Sequence, residues 1–424
     1  MKIGYVCSDF DIPLYGHEGC SVRIREFTNA LVEQGHDVFL LCAELGNPTP
    51  VTIKARVIDL QRSYLNSLLF RTLDEEAIWS HDLERDLRLV MHNLWLQGEA
   101  ASIIAAEQPD VLYEVYALFG SGGIELAHRH GIPHILEVNA PLCIEQAGYV
   151  KFPLHRSAQA LEDEIYRSAD AVVVVSEWLR NFIVNRGAEE VHIIENGVAE
   201  RLFGAPVSAR EARSRLGLVN DERVVGFVGT YQYWHDVNGL IESFAKLAVH
   251  NRRTRLLLVG DGPERPQSED LIDRLGIRDS VIMVGAVPHE RIPELIAAMD
   301  VAVAPFKWRE DHLYGSPMKL FEYMAAGKPS VSTAIEQTVD IIDHERTGWL
   351  YPPGDEAALT RVLEAVLGNP DRARIVGEAG REFIMRTYTW RALADKAVAI
   401  AEDLISRRPE IPTEEPFHAV RGNK

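Results

Sequence analysis

"YGSPMKLFEYMAAGKPSVST", residues 314–333, reads as a helix followed by a strand. Gly315 and Ser316 give a bend and an N-cap, and Pro317 takes the first helical position. Gly327 and Pro329 stop the helix, and a short β-like run, 330–333, comes next. Upstream, "DVAVAP" (300–305) is another short apolar strand. Strand, helix, strand, with each strand a continuous apolar run, is the unit of a parallel sheet covered on both faces.

The alternation extends outward from there. "RVVGFVG" (223–229), "TRLLLVG" (254–260) and "DSVIMVG" (279–285) are further strands, separated by helical patterns at 238–250, 264–275 and 289–299. An earlier series opens with "KIGYVC" and an amphipathic stretch from Val22 to Gln34. It continues through "HDVFLLC", "DVLYEV" (110–115), "PHILEV" (133–138), "DAVVVVS" (170–176) and "VHIIENG" (191–197). Residues 60–105 and 356–405 read as helical. Two such series predict an α/β chain of two Rossmann-like, doubly wound domains facing across a cleft. The expected division is 1–200 and 201–387, with a helix at about 388–406 and a mobile tail at 407–424. The stretch 196–221, around "GAPVSA", is the expected linker.

The length of 424 residues fits two domains of ~200 residues each. With 46% hydrophobic residues there is apolar material for two cores. No apolar run reaches the roughly 18 residues a membrane span needs, and the N-terminus lacks the apolar region of a signal peptide. Cys7, Cys20, Cys42 and Cys143 show no C-x-x-C spacing and fit a reduced, cytoplasmic chain. A net charge of −19 argues against nucleic acid or an anionic lipid surface as main partner. It leaves open a small phosphorylated ligand, and it leaves self-association into a homo-oligomer open.

Ligands of such sheets bind beyond the carboxyl ends of the strands, so the residues just past each strand are the candidates. Gly16 and Gly19 come after the first strand and let backbone approach an anion at the next helix. Asp9 and Asp11 in "DFD" match a short metal-holding pattern, but no metal site is expected. Gly229 ends a strand, and Thr230 and His235 fall in the loop after it. Gly260 and Gly262 make a tight turn, which turn chemistry alone explains. In the opening stretch, Ser316, Pro317 and Met318 leave backbone N–H groups exposed at a helix front that attracts phosphate. Lys319, in the first turn, is poorly placed for the helix itself, and a diphosphate would offset that. Glu322 shares its face and can accept both hydroxyl hydrogens of a ribose diol. A Lys–Glu pair on a solvated helix also has this spacing, but it leaves the Gly-Ser-Pro approach and the cation unexplained. Leu320, Phe321, Met324 and Ala325 are expected against the sheet.

Taken together, "VVVVSEWLRNFIVNRGAEEVHIIENGV" (172–198), "LLLVGDGPER" (256–265), "VGAVPHERIPELIAAMDVAVAPF" (284–306) and "SPMKLFEYMAAGKPSVST" (316–333) resemble the retaining, GT-B-fold glycosyltransferases of family 4. "QGHDV" (34–38), "PHILEVNAP" (133–141) and "YTWRALADKAVAI" (388–400) extend the resemblance along nearly the whole chain. The resemblance implies transfer of a sugar from a nucleoside-diphosphate sugar to an acceptor, without cofactor or metal, by a front-face route. Glu322 matches the second glutamate of the family's Glu-x7-Glu motif, while the first falls at Tyr314. Thr230 and His235 stand where many members have Arg and Lys, so one neutral and one weakly basic group would face the diphosphate. Asn139 stands at the place of a histidine near the reacting sugar, which argues against a general base there. Lys319, Glu322 and Asn139 are thus the residues expected nearest the chemistry. The acceptor is expected on the first domain, around Gly16–Arg23 and the 60–100 helices, where Tyr64, Phe70, Trp79 and Trp95 could line a groove or simply fill a core.

Two rival readings share the fold: a nucleotide-sugar epimerase and a non-catalytic nucleotide-sugar-binding protein. A dehydrogenase fits less well, since the first strand is not succeeded by a Gly-x-Gly-x-x-Gly turn.

Overall fold

The structure, a computed structural model, describes residues 1–47, 51–59, 81–149, 151–205, 207–219, 221–307 and 315–408. In the first half lie β1 Lys2–Cys7, β2 Asp37–Cys42, β3 Arg56–Asp59, β4 Val111–Val115, β5 His134–Val138, β6 Ala171–Val174 and β7 Val191–Ile193. In the second lie β8 Arg223–Val228, β9 Thr254–Val259, β10 Val281–Gly285, β11 Val301–Ala304, β12 Ser330–Thr333 and β13 Trp349–Tyr351. They build two parallel sheets, in the orders β3-β2-β1-β4-β5-β6-β7 and β10-β9-β8-β11-β12-β13. Each sheet winds outward one way, returns to its middle and continues the other way. The reversals fall between β1 and β4 and between β8 and β11. The loops leaving those neighbours diverge, which opens a crevice at their carboxyl ends.

The continuous apolar strands are explained by burial on both faces. Every residue of β4, β5, β6, β11 and β12 is buried. The edge strands β3 and β13 are not legible in the sequence, β3 being short and only partly apolar and β13 only three residues long. The helical pattern expected over 60–105 appears as the helix His81–Glu107, and residues 60–80, with Tyr64, Phe70 and Trp79, lie outside the described residues. Trp95 packs with Leu96, Ala100 and Ile104 against the first sheet, so it is core and not a groove. The tail beyond 408 is likewise outside the described residues.

Between the sheets the chain changes cores quickly. Ala199 belongs to the first core and Phe203, at the end of the short helix Glu200–Phe203, to the second. The last helix, Trp390–Ser406, reverses that crossing. Trp390, Leu393, Ala394, Ala397, Ile400, Ala401 and Leu404 recur every three or four residues and complete the core of the first sheet. The Trp390 ring meets Phe27 edge-on, centroids 6.5 Å apart. Val198 N–H donates to the Tyr388 carbonyl and Trp390 N–H to the Val198 carbonyl, tying the outward and return crossings together. Among the described residues no helix is long and apolar enough to cross a membrane.

Candidate active site

A cavity of about 670 Å³ opens between the two sheets' carboxyl ends. The first lobe contributes Gly19, Arg23, Asn139, Val175 and Asn196 to its walls, and the second contributes Gly229, Thr230, His235, Gly260, His289 and the run 315–319 with Glu322. The helix of the opening stretch runs Met318–Ala325. Leu320, Phe321, Met324 and Ala325 are fully buried against the second sheet as expected. Tyr323 pins the helix to the end of β8: its hydroxyl accepts from Val228 N–H (2.6 Å) and donates to the Val228 carbonyl (3.2 Å).

That anchorage brings Lys319 against Gly229. A Cβ on Gly229 would stand 2.7 Å from Lys319 Cε, and its φ of 150° is a conformation other residues avoid. Gly260 serves the same close packing, since a Cβ there would meet the Gly229 carbonyl. Lys319 is only 8% exposed. Its ammonium lies 5.3 Å from the ring centroids of both Phe227 and Phe306. It makes no hydrogen bond or ion pair among the described residues. Burial pushes its pKa down to about 7, with the charge of Glu322 opposing the shift. The pair is therefore not a solvated surface pair: Glu322 is 6% exposed, and its carboxylate is engaged by His289 instead, Nε2 to Oε1 at 2.5 Å. Burial alone would lower the His289 pKa, but the Glu322 carboxylate raises it above the ordinary value.

The front of this helix differs from the expected one. Pro317 occupies the cap position in place of Ser316, so the helix begins one residue later, and no side chain caps it. The Ser316 hydroxyl accepts from Asn196 N–H at 3.0 Å and its carbonyl from Asn196 Nδ2 at 2.7 Å. The first-turn amides thus have no side-chain cap, a standing site for an anion.

His235 is a neutral imidazole here, against the expectation of a weak cation. Its Nδ1–H donates to the Thr230 carbonyl at 2.6 Å, and burial together with neighbouring Lys319 holds its pKa well below the usual value. Asn139 donates from Nδ2 to Glu137 Oε1 at 2.8 Å, so it is committed to that carboxylate while lining the cleft. Gly16 does not reach the cleft. Its N–H bonds to Pro13 and its carbonyl accepts from Arg25 Nη1, so it shapes a turn behind the site. Gly19 does line the cleft and faces Met318, whose Sδ would be 3.4 Å from a Cβ there. The Asp9–Asp11 pattern is a local turn in which Asp11 N–H donates to Asp9 Oδ1 at 2.8 Å. Among the described residues no three His, Cys, Asp or Glu side chains converge on one point. Tyr314 lies outside the described residues.

Three groups at the site are not singled out by the sequence reading. His289 begins the 3-10 turn His289–Arg291 just after β10, where a search of strand ends would meet it. Arg23 and Glu137 form a buried ion pair, Nε to Oε1 at 2.7 Å and Nη2 to Oε2 at 3.0 Å, joined by the Tyr113 hydroxyl at 2.8 Å. Burial opposes the ionised carboxyl, yet Arg23, Asn139 and Tyr113 together keep the Glu137 pKa below the ordinary range. Asn196 joins this pair to Ser316.

Comparison with known families settles what fold and chemistry class the cleft belongs to. The second half, residues 208–383, matches the family of glycosyl transferases group 1, and residues 18–197 match the glycosyl transferase 4-like domain. The chain belongs to the group 1, GT4-like glycosyltransferases. This glycosyltransferase is 26% identical over 422 residues to an MMP alpha-(1→4)-mannosyltransferase of Mycolicibacterium hassiacum, covering 92% of this chain and 95% of that one. It is 23% identical over 411 residues to an uncharacterized glycosyltransferase of Methanocaldococcus jannaschii, covering 94% and 97%. Its GT-B architecture is shared with sucrose-phosphate synthase of Thermosynechococcus elongatus (TM-score 0.74, 23% identity, 96% and 100% covered). HepE of Anabaena, solved with UDP-glucose, superposes with a TM-score of 0.68 at 18% identity, covering 95% and 100%.

Proposed function

We propose that this glycosyltransferase takes a nucleoside-diphosphate sugar as donor and transfers the sugar with retention at the anomeric carbon. The observation that carries this reading is Lys319, a buried ammonium with no ion-pair partner among the described residues, set in the first turn of an uncapped helix that opens into the cleft. A diphosphate placed there receives the first-turn N–H groups and the ammonium together. Its charge restores the proton that burial loosens on Lys319. Glu322, held by His289 through one oxygen, keeps its other oxygen for the ribose diol. The second lobe, 201–387, is then the donor side, and the first, 1–200 with the returning helix, the acceptor side.

In the front-face route the bond from the anomeric carbon to the phosphate oxygen breaks and the bond to the acceptor oxygen forms on the same face. The acceptor proton passes to the departing phosphate oxygen. The protein's part is to hold the donor and to stabilise the charge that develops on the diphosphate. Lys319 and the helix front meet that demand, and neither a protein nucleophile nor a metal is required by it. Asn139, locked to Glu137, contacts the sugar side without exchanging protons. We place the reaction in the cytoplasm, in keeping with four cysteines that form no disulfide with one another, three of them buried.

The test is incubation with a panel of nucleotide sugars, with and without candidate acceptors. Release of nucleoside diphosphate that depends on an acceptor, with the product's anomeric configuration matching the donor's, is the expected result. Epimerised donor without acceptor, or binding without turnover, overturns it. Full activity in the presence of a chelator is expected, and loss that added metal rescues would contradict the metal-free reading.

A further inference from the structure

Asn196 sits where the chain leaves the first lobe, and it is gripped from both sides. Arg23 Nη1 donates to its Oδ1 at 3.0 Å and to the Glu195 carbonyl at 2.9 Å. A guanidinium has only donors, so the amide oxygen must face Arg23 and the amide nitrogen must face the second lobe. There Nδ2 donates to the Ser316 carbonyl at 2.7 Å, while the backbone N–H of Asn196 donates to Ser316 Oγ at 3.0 Å. Arg23 is itself fixed by the buried carboxylate of Glu137, which also receives Tyr113 and Asn139. The chain of contacts therefore runs unbroken from the floor of the first sheet to the residue two before the Met318–Ala325 helix.

Ser316 controls the aim of that helix through its neighbour. The ring of Pro317 limits its φ, observed at −80°. With φ of Pro317 restricted, the orientation of the Ser316 peptide decides where the helix front points. Asn196 holds the carbonyl and the hydroxyl of Ser316, and so fixes that orientation. A second cross-lobe bond, Gln337 Nε2 to the Val175 carbonyl at 2.8 Å, joins the lobes without touching this helix. It provides an internal comparison.

We propose that Asn196 is a positioning residue that registers the phosphate-binding helix front against the Arg23–Glu137 pair of the opposite lobe, a role that rests on the donor reading above. Asn196→Asp keeps the bond from Arg23 but turns an oxygen toward the Ser316 carbonyl, whereas Asn196→Ala removes both side-chain bonds.

The full-length protein is titrated by calorimetry with UDP, GDP, ADP and TDP, and the tightest binder becomes the probe. Its affinity is expected to fall about tenfold in N196A and further in N196D, the loss of one or two buried hydrogen bonds. Q337A is expected to stay within about twofold, because its bond leaves the helix front alone. Backbone hydrogen exchange over 316–320 is expected to accelerate in N196A, while that of β8 stays unchanged. Equal affinity in wild type, N196A and N196D overturns the proposal, and so does an equal loss in Q337A, which would mean that any lobe contact serves. If N196D does not fold, as judged by thermal unfolding, S316A removes the hydroxyl arm alone, and unchanged exchange over 316–320 in both N196A and S316A is equally fatal. If no nucleoside diphosphate binds the wild type, the donor reading itself fails, and the positioning role falls with it.

Discussion

His289 Nε2 and Glu322 Oε1 stand 2.5 Å apart in the wall of the cleft, one side chain from the 3-10 turn His289–Arg291 after β10 and the other from the helix that carries Lys319. The imidazole fixes the rotamer of the carboxylate and balances its charge, so that in the proposed donor complex Glu322 would not repel the diphosphate. Glu26 and Glu290 add negative potential around the ring, and Arg201, paired with Glu26 and 3.9 Å from Glu290, moderates it.

His289→Gln is expected to weaken a ribonucleoside diphosphate about tenfold, and Glu322→Ala more strongly. A 2′,3′-dideoxy analogue, which lacks the diol, is expected to bind wild type and both variants with less than about twofold difference. Calorimetry with the matched pair of ligands checks this, and an equal loss for both would remove the diol from Glu322. The pH dependence comes from the direction of the shift. The folded-state pKa of His289 is raised, so the stability from the charged pair is complete below the unfolded value and is lost as pH rises through the folded one. H289Q is expected to lack this loss in thermal unfolding measured from slightly acidic to alkaline pH.

Lys319 titrates the other way. Its pKa is lowered to about 7 by burial, so between there and the ordinary lysine value the unfolded chain holds a proton that the folded chain has released. Folding stability from this group therefore rises with pH across that window. In the proposed donor complex the diphosphate needs that proton, so affinity is expected to fall as pH increases above about 7, by up to tenfold per unit until the pKa of the bound state is passed. Proton uptake on binding, read by calorimetry in buffers of different ionisation enthalpy, is expected to grow from pH 7 to 8. Lys319→Met is expected to raise the melting temperature by roughly 2 °C or more and to abolish measurable nucleoside-diphosphate binding. A less stable K319M, or one that still binds, would mean that the ammonium is there for structure.

The Arg23–Glu137 pair is expected to behave as a unit. Either R23M or E137Q alone leaves a buried group without its counterpart and is expected to destabilise by about 3–5 kcal/mol. The double variant is expected to lose less than the sum, by at least about 1 kcal/mol. Denaturant unfolding of the four proteins measures the coupling, and strict additivity would argue that the two charges are separately solvated.

Much of the molecule is legible in the sequence because its signals are local. Doubly buried strands are continuous apolar runs, and the stop at Gly327 and Pro329 marks the end of the key helix. Lys319 stands out as a cation in a first turn. The hidden features depend on partners far apart along the chain. Arg23 and Glu137 are 114 residues apart, and Asn196 and Ser316 are 120 apart. Ser316 suits a cap by type and place, yet a partner from the other lobe claims its hydroxyl. Gly16 resembles a phosphate-loop glycine, but a tertiary bond from Arg25 draws it into a turn. The edge strands β3 and β13 are too short to stand out.

The helix Trp390–Ser406 has a consequence for synthesis on the ribosome. The first sheet receives one of its covering layers only after the whole second lobe has been translated, some 200 residues later, an interval on the order of 10–40 s. Until then Phe27 and its neighbours face a half-finished nascent chain, so the earliest part of the polypeptide is among the last to reach its final packing.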